Sequence, residues 1–290
     1  MAPVLRRTLS PIEAPRVLRA LNVWTPADAP AGSLHPGDVG WLLRHADATV
    51  HLWVDARGDG RTDPRIDTRH DSAAPVAVGF LDGRVLRVTA APDADLGAVA
   101  ADAAELLAPG IDRSDGLPVP GWQPDLEEPW LVLSWTPKPV TTRAEPVGDP
   151  DAADRVLIHR SAFTGSKFSL KHWETMRSSP AGHLIVETLV RTPDGDPAAA
   201  ATGWFGGTGR CGLLEPVGTH PDHRGHGYGR DAVLGACAAL ADRGASAVAV
   251  LAPAENEAAV TLYRSAGFTV VREHHRWKRP ECDRRGAFVL

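Results

Sequence analysis

The 290-residue sequence contains only three cysteines, and it has no apolar run of about 18 residues that could span a membrane. Cys211, Cys237 and Cys282 are odd in number and widely spaced, which argues against a disulfide framework or a zinc site and indicates a reduced, cytoplasmic protein. The first residues lack the apolar core of a signal peptide. The formal net charge of −5 argues against a nucleic-acid partner, because binding phosphates requires a basic face.

The composition is that of a globular chain with many turns, since 43% of residues are hydrophobic, 23% are charged and 28 are glycine. Residues 1–140 are acidic, with 13 Lys or Arg against 19 Asp or Glu, whereas the remainder is nearly balanced. Pro137 and Pro139 favour an extended connector. We therefore expect two domains, over residues 1–138 and 139–290.

Hydrophobic periodicity and turn residues give a coarse order of elements. In the second half they predict a strand at 140–147, helices at 150–163 and 168–178, strands at 183–190, 198–206 and 211–219, a helix at 228–244, a strand at 247–251, a helix at 256–265 and a strand at 268–272. In the first half they predict strands at 49–55, 75–81, 84–90 and 129–135, and a helix at 96–108.

The most informative segment runs from Leu214 to Gly229 and carries three alternating glycines between a strand and a helix. Gly225, Gly227 and Gly229 let the backbone approach a ligand closely, and the amides at the helix start favour an anion. The segment lacks the lysine of a P-loop and the Gly-x-Gly-x-x-Gly spacing of a dinucleotide site. A phosphate-binding turn is the natural interpretation, and a tight turn that binds nothing is the alternative.

Two motifs resemble those of the GNAT superfamily of acyl-CoA N-acyltransferases. The segment Arg224 to Gly229 matches Arg/Gln-x-x-Gly-x-Gly/Ala, and Asn256 to Phe268 resembles Asn-x-x-Ala-x-x-Leu-Tyr followed by Gly-Phe. The resemblance is strong over residues 140–278 and weak in the first half. It implies an α+β fold of three αβα layers around a mixed sheet.

The resemblance implies a binding site for acetyl-CoA, the acyl donor, and no metal. Family members bind the CoA pyrophosphate through loop amides and the pantetheine arm through the preceding strand, beside a gap between two splayed parallel strands. Pro216, which cannot donate to a sheet, suits such a break. Carried over, the cofactor-binding residues are Val217, Gly218, Thr219, Arg224, Gly225, His226, Gly227, Tyr228, Gly229, Arg230 and Asn256.

Tyr263 and Glu215 are the candidate catalytic residues. In many family members a tyrosine at the position of Tyr263 protonates the departing thiolate, and simple packing against pantetheine is the alternative. Glu215 is the candidate base, although glutamate bases in the family often lie two residues earlier, where this sequence has Leu213. A surface carboxylate, or one that only binds the acceptor ammonium, is the other interpretation of Glu215.

Several other polar groups are weaker candidates. His220, His223 and His226 are expected to be solvated rather than to hold zinc, His274 or His275 could contact an acceptor, and the aspartates between Asp55 and Asp63 fit a solvated loop better than a calcium site.

The first half is expected to be either a degenerate GNAT-like fold or an unrelated α+β domain. When Pro92 is aligned with Pro221, Asp95 and Gly97 fall at pyrophosphate positions, where the aspartate would repel a phosphate. A tandem with one active half is similar in layout to mycothiol synthase. Such a first half would complete the acceptor pocket or cover the sheet, and its acidity would suit a cationic amine.

The expected function is transfer of an acetyl or other short acyl group from acyl-CoA to a primary amine of a small molecule or peptide, by direct attack. An oxyanion would be stabilised by a backbone N–H near Val217. A non-catalytic acyl-CoA-binding module is the alternative. The sequence leaves open the amine, the acyl chain, and whether the chain is a monomer or a homodimer.

Overall fold

The computed structural model describes residues 4–28, 34–55, 74–108 and 110–280. These residues form two units, of which the first contains the described parts of 1–8, 50–129 and 275–290 and the second those of 9–49 and 130–274. Cys282 and residues 56–63 of the considered calcium loop lie outside the described residues. Within the described ranges, no helix is long and apolar enough to cross a membrane.

The first unit contains strands β1 (Val4–Leu9), β2 (Val50–Asp55), β3 (Pro75–Asp82), β4 (Val85–Ala90), β5 (Arg113–Asp115), β6 (Gln123–Pro124) and β14 (Trp277–Lys278), with helix α3 (Leu96–Ala103). The second contains β7 (Trp130–Trp135), β8 (Glu145–Pro146), β9 (Ile185–Arg191), β10 (Pro197–Trp204), β11 (Cys211–Thr219), β12 (Ala247–Pro253) and β13 (Thr269–His274). Its helices are α1 (Ala14–Trp24), α2 (Pro36–Leu42), α4 (Ala152–Ala162), α5 (Leu170–Ser178), α6 (Tyr228–Asp242) and α7 (Glu257–Ser265).

The two sheets have the same strand pattern. The first runs β1-β2-β3-β4-β5-β14-β6 and the second runs β8-β9-β10-β11-β12-β7-β13. In each sheet the fourth and fifth strands are parallel, whereas β2-β3-β4 and β5-β14-β6 in the first sheet and β8-β9-β10-β11 and β12-β7-β13 in the second are antiparallel. A helix, α3 or α6, follows the fourth strand in both. This repeat favours the GNAT-like interpretation of the first half over an unrelated α+β domain.

The division between the units differs from the expected boundary at residues 138 and 139. Strand β7 was expected in the first domain, yet it lies between β12 and β13 of the second sheet. Strand β14, near the other end of the chain, pairs with β5 and β6 of the first sheet. Each sheet thus takes its sixth strand from a distant segment, a pairing that local sequence patterns do not encode.

Most predicted elements are present near their expected positions. The strand expected at 140–147 pairs only at Glu145–Pro146, where it meets β9. The helix expected at 96–108 ends as an α-helix at Ala103 and continues as a 3₁₀ turn to Leu106. Helices α1 and α2 were not predicted, and α2 contains two glycines among seven residues, which lowers its helix propensity.

The second sheet has helices on both faces, as the expected αβα layering requires. A Cβ added at Gly203 would meet Leu240 of α6, whereas neighbouring Trp204 meets the glycines of α2. Because successive strand residues point to opposite faces, α6 and α2 cover opposite sides of β10. Residues Ile158 and Ala162 of α4 lie against Gly218 of β11.

Helix α2 packs on the indole of Trp204 through its backbone. Cβ atoms added at Gly37 and Gly40 would lie 2.4 Å and 2.3 Å from Trp204 atoms, so neither position has room for a side chain. Trp204 is fully buried, and its indole Nε1–H donates to the carbonyl of Glu215 at 2.7 Å. This packing compensates for the weak helix propensity of α2 and fixes the helix beside β11.

His35 joins the start of α2 to β11. The Gly37 amide donates to His35 Nδ1 (2.9 Å), so Nε2 carries the proton and donates to the carbonyl of Cys211 (2.9 Å). Burial lowers the pKa of His35 to about 4, and the opposing effects of Asp38 and the Cys211 carbonyl are smaller. Protonation of Nδ1 would break the bond from Gly37, so the neutral ring is the one that fits.

His35 should therefore make stability depend on pH. Its pKa is about 4 in the folded state and about 6.5 in the unfolded state, so its stabilising contribution is complete above pH 6.5 and is lost as pH falls toward 4. The expected loss is roughly 1.4 kcal/mol per pH unit. The free energy of unfolding should be measured by denaturant titration at several pH values between 4 and 6.5. In His35→Gln its slope against pH should be smaller than in the parent by the equivalent of one proton, and an unchanged slope would contradict the assignment.

Candidate active site

The site lies where two parallel strands separate. Strands β11 and β12 pair only from Cys211 with Ala247 to Leu213 with Ala249, although both strands continue beyond these residues. On its other side, β11 shifts register against β10 between Ala201 and Gly203, opposite the cis peptide that joins Glu215 to Pro216. The expected break at Pro216 is present, and it opens a gap between the strands.

A cavity of about 550 Å³ occupies this gap, within the usual range for small-molecule sites. Its lining falls into three groups. The strand ends contribute Leu214, Glu215, Pro216, Val217, Val250, Leu251, Ala252 and Pro253, and α7 with its N-cap contributes Asn256, Ala259 and Tyr263. The third group comprises Trp41, Arg44, His45, His159, Phe163, Ser166, Lys167, Phe168 and His172.

Both candidate catalytic residues line this cavity. Tyr263 is 7% exposed, and burial together with the nearby Glu215 charge raises the pKa of its phenol. Glu215 is partly exposed, and its backbone carbonyl is held by Trp204. Leu213, at the usual family position of a base, is buried and does not line the cavity. The structure thus places Glu215 at the gap and close enough to Tyr263 to influence it electrostatically.

The glycine segment forms a turn that leads into α6. Gly225 and Gly227 both have φ near +81°, a left-handed conformation that favours glycine. A Cβ at Gly229 would lie 2.5 Å from Thr219 Oγ1, so the third glycine is needed for close packing of helix on strand. Within the described part of the chain, no hydrogen bond engages the amides of residues 225–230. The turn therefore presents a row of donors at the positive end of a 15-residue helix.

The other predicted binding residues have mixed surroundings. Gly218 and Thr219 pair with Ala200 and Ala199 in the sheet, and Arg224 and His226 are exposed. Two further predicted residues, Arg230 and Asn256, already form hydrogen bonds within the protein. Arg230 Nε donates to the carbonyl of Ser265 (2.9 Å), and Asn256 Oδ1 caps α7 by accepting from the Ala259 amide (3.1 Å).

Arg143 anchors the glycine turn, and sequence reasoning missed it. Its guanidinium donates to the carbonyl of His226 (3.2 Å), forms an ion pair with Asp231 and lies 4.6 Å from the ring centre of Tyr228. Tyr228 is 8% exposed, in line with its expected packing role. Arg143 is far from the turn in sequence and belongs to no motif, so only the fold brings them together.

The remaining histidine candidates have separate structural contacts. In the described residues, no cluster of His, Cys, Asp or Glu could hold a metal ion. His220 caps the short helix 221–223, and His274 pairs with Trp130 in the sheet. His275 Nδ1 lies 3.2 Å from the carbonyl of Asp125. Neither His274 nor His275 lines the cavity.

The cysteines of the second unit are also unsuited to catalysis. Cys211 and Cys237 are both fully buried. Burial raises the pKa of Cys211 to about 12 and raises that of Cys237 as well. Neither thiol therefore supplies a thiolate near neutral pH.

The corresponding turn of the first unit is already occupied by its own side chain. Asp95 accepts from the amides of Gly97 (3.0 Å) and Ala98 (3.1 Å) at the start of α3. A pyrophosphate at this turn would have to displace a carboxylate of the same charge. This contact agrees with the expectation that the first half does not bind CoA.

Comparison with known proteins gives a family match within the second unit. Residues 154–268 match the model of the Acetyltransferase (GNAT) family. Over these residues the chain is similar to GNAT acetyltransferases. No curated protein shows significant similarity to the sequence.

Two solved structures show that the GNAT-like fold extends over nearly the whole chain. A tandem GNAT protein from the clavulanic acid biosynthesis pathway is 14% identical, with 97% of this chain and 100% of that one covered and a TM-score of 0.52. An acetyltransferase of the GNAT family from Colwellia psychrerythraea is 12% identical, with 94% and 98% covered and a TM-score of 0.53. At these identities the likeness concerns the fold alone.

Replacement of Arg143 by Met should loosen the start of α6. The variant loses the bond to the His226 carbonyl and leaves the carboxylate of Asp231 without this partner, a loss of roughly 1 kcal/mol. We expect amide hydrogens of residues 232–234 to exchange about fivefold faster. Arg160→Met, at an exposed position on α4, is the matched control. Equal exchange in the two variants would contradict an anchoring role for Arg143.

Proposed function

We propose that the protein transfers an acetyl group from acetyl-CoA to a primary amine of a small molecule by direct attack. The observation that carries this proposal is the position of Glu215 and Tyr263 in one cavity, at the gap between β11 and β12. The unengaged amides of residues 225–230 follow the same strand and suit a pyrophosphate.

The donor would bind along β11 and the start of α6. The amides from Gly225 to Arg230 would hold the pyrophosphate, and backbone groups of residues 217–219 would pair with the pantetheine arm. The side chain of Asn256 uses its carbonyl oxygen in capping α7, so its NH₂ group is the part that remains for the donor. The gap would then receive the thioester.

The acceptor must lose a proton before it attacks. For an amine with a pKa near 10.4, the neutral form costs about 4.6 kcal/mol at pH 7. Glu215 is the carboxylate that lines the cavity, and it would accept this proton directly or through water. The amine nitrogen forms a bond to the thioester carbon, and a backbone N–H near Val217 would stabilise the resulting oxyanion.

Tyr263 would complete the transfer when the carbon–sulfur bond breaks. Its burial and the Glu215 charge raise the pKa of the phenol, so the hydroxyl stays protonated at neutral pH. A protonated phenol can give its proton to the departing thiolate and produce free CoA. The chain needs no covalent intermediate for this reaction.

The variant Tyr263→Phe tests the proposal against a module that only binds acyl-CoA. Loss of the proton donor should lower kcat by about 10²- to 10³-fold, while calorimetry should still detect acetyl-CoA binding. The assay measures release of free CoA thiol with an excess of amine. Activity equal to the parent would contradict the acid role. A parent that binds acetyl-CoA but acetylates no amine would favour the binding module.

A further inference from the structure

The third group of cavity residues forms a wall of stacked rings. The ring of Trp41 lies 5.4 Å from that of His159 and 5.3 Å from that of Phe168, at interplanar angles of 24° and 30°. His159 and Phe168 stack at 4.6 Å, and Phe163 lies 4.7 Å from His159. Phe163 is 39% exposed, so the wall offers aromatic surface to a ligand.

His159, which stacks on Trp41 and Phe168 in this wall, is uncharged at neutral pH. Burial, followed by the charges of Arg155 and Arg44, lowers the pKa of His159 to about 3. Arg155 lies beneath the wall and is bound to the buried carboxylate of Glu187 (2.9 Å) and to Thr202 (2.8 Å). Burial is thus the main reason that the imidazole stays neutral, and the fixed Arg155 cation adds to it, so His159 contributes an uncharged ring to the wall.

The cavity lining is positively charged in its third group and negatively charged at the strand ends. Apart from histidines, the cations of the lining are Arg44 and Lys167, and both belong to the third group. The carboxylate of Glu215 belongs to the strand ends. Arg44 lies 4.2 Å from the ring centre of Trp41. Lys167 is exposed, next in sequence to Phe168, and has no ion pair within the described residues.

This charge pattern does not suit a polyamine, although the acidic first half suggested a cationic acceptor. A second ammonium group on the acceptor would face Arg44 and Lys167. An anionic group there would instead form charge-assisted hydrogen bonds, and an aromatic body would stack on the rings. An ammonium group at the strand ends would meet Glu215.

We propose that the acceptor is a small zwitterion, namely a primary amine on an aromatic body that also carries a carboxylate. This inference rests on the proposed function and names its substrate class. The amine would lie by Glu215 and Tyr263, the ring against Phe163 and Trp41, and the carboxylate by Arg44 and Lys167.

Four commercial amines test the inference as acceptors with the full-length chain. L-Phenylalanine has all three features, 2-phenylethylamine lacks the carboxylate, L-alanine lacks the ring, and spermidine carries extra positive charge. We expect kcat/KM for phenylalanine to exceed that of each other amine by at least tenfold. A higher value for phenylethylamine or spermidine would overturn the inference and leave the proposed function intact.

Two variants connect the selectivity to the residues named. Lys167→Gln should raise KM for phenylalanine five- to tenfold and leave KM for phenylethylamine unchanged, because only the former has a carboxylate. Lys171→Gln, an exposed lysine of α5 outside the cavity, is the matched control. Phe163→Leu should raise KM for phenylalanine about fivefold and leave KM for alanine unchanged. An equal effect of Lys167→Gln on both aromatic amines, or a loss of acetyl-CoA affinity, would contradict the assignment.

A binding experiment separates failure of the inference from failure of the proposed function. If acetyl-CoA does not bind in calorimetry, both fail. If it binds but no amine is acetylated, saturation-transfer NMR of phenylalanine with the CoA-loaded protein decides the matter. Binding of phenylalanine that Lys167→Gln weakens would support the site, and its absence would overturn the inference.

Discussion

The end of pairing between β11 and β12 after Leu213 is the feature on which the rest of the site depends. Had the two strands remained paired to their ends, the residues from Leu214 to Val217 would lie within a continuous sheet and the cavity would be filled. The bond from Trp204 to the Glu215 carbonyl supplies a partner for the backbone at this break, which a sheet neighbour would otherwise provide. The gap between β11 and β12 and the position of Glu215, the candidate base, thus share one structural cause.

The same indole connects the gap to the ring wall. Gly37 and Gly40 bring α2 against Trp204, and α2 carries Trp41, with Arg44 just beyond its end. A residue 170 positions earlier in the chain can therefore line a cavity with β11. Under the proposed function, the strand break would place the reacting groups, while α2 would supply part of the surface that contacts the acceptor.

Short sequence patterns predict those parts of the candidate site that are formed by residues close together in the chain. Gly225 and Gly227 need left-handed backbone, and Asn256 caps the helix that carries Tyr263 seven residues later, so these candidates follow from local patterns. The location of β7 and the anchoring by Arg143 depend on pairings between distant segments. Helix α2 contains two glycines, and it is stabilised by packing on Trp204, a residue that is distant from it in sequence. The ring wall was missed for the same reason.

The most direct test of the account is a calorimetric titration of acetyl-CoA into the parent, Gly227→Glu and Gly227→Asn. Gly227 has φ near +81°, a conformation that asparagine tolerates, whereas glutamate adds both strain and a negative charge beside the expected pyrophosphate. The account predicts binding by the parent, weaker binding by the asparagine variant and none by the glutamate variant. A parent that does not bind acetyl-CoA, or a glutamate variant that binds as tightly as the parent, would contradict it.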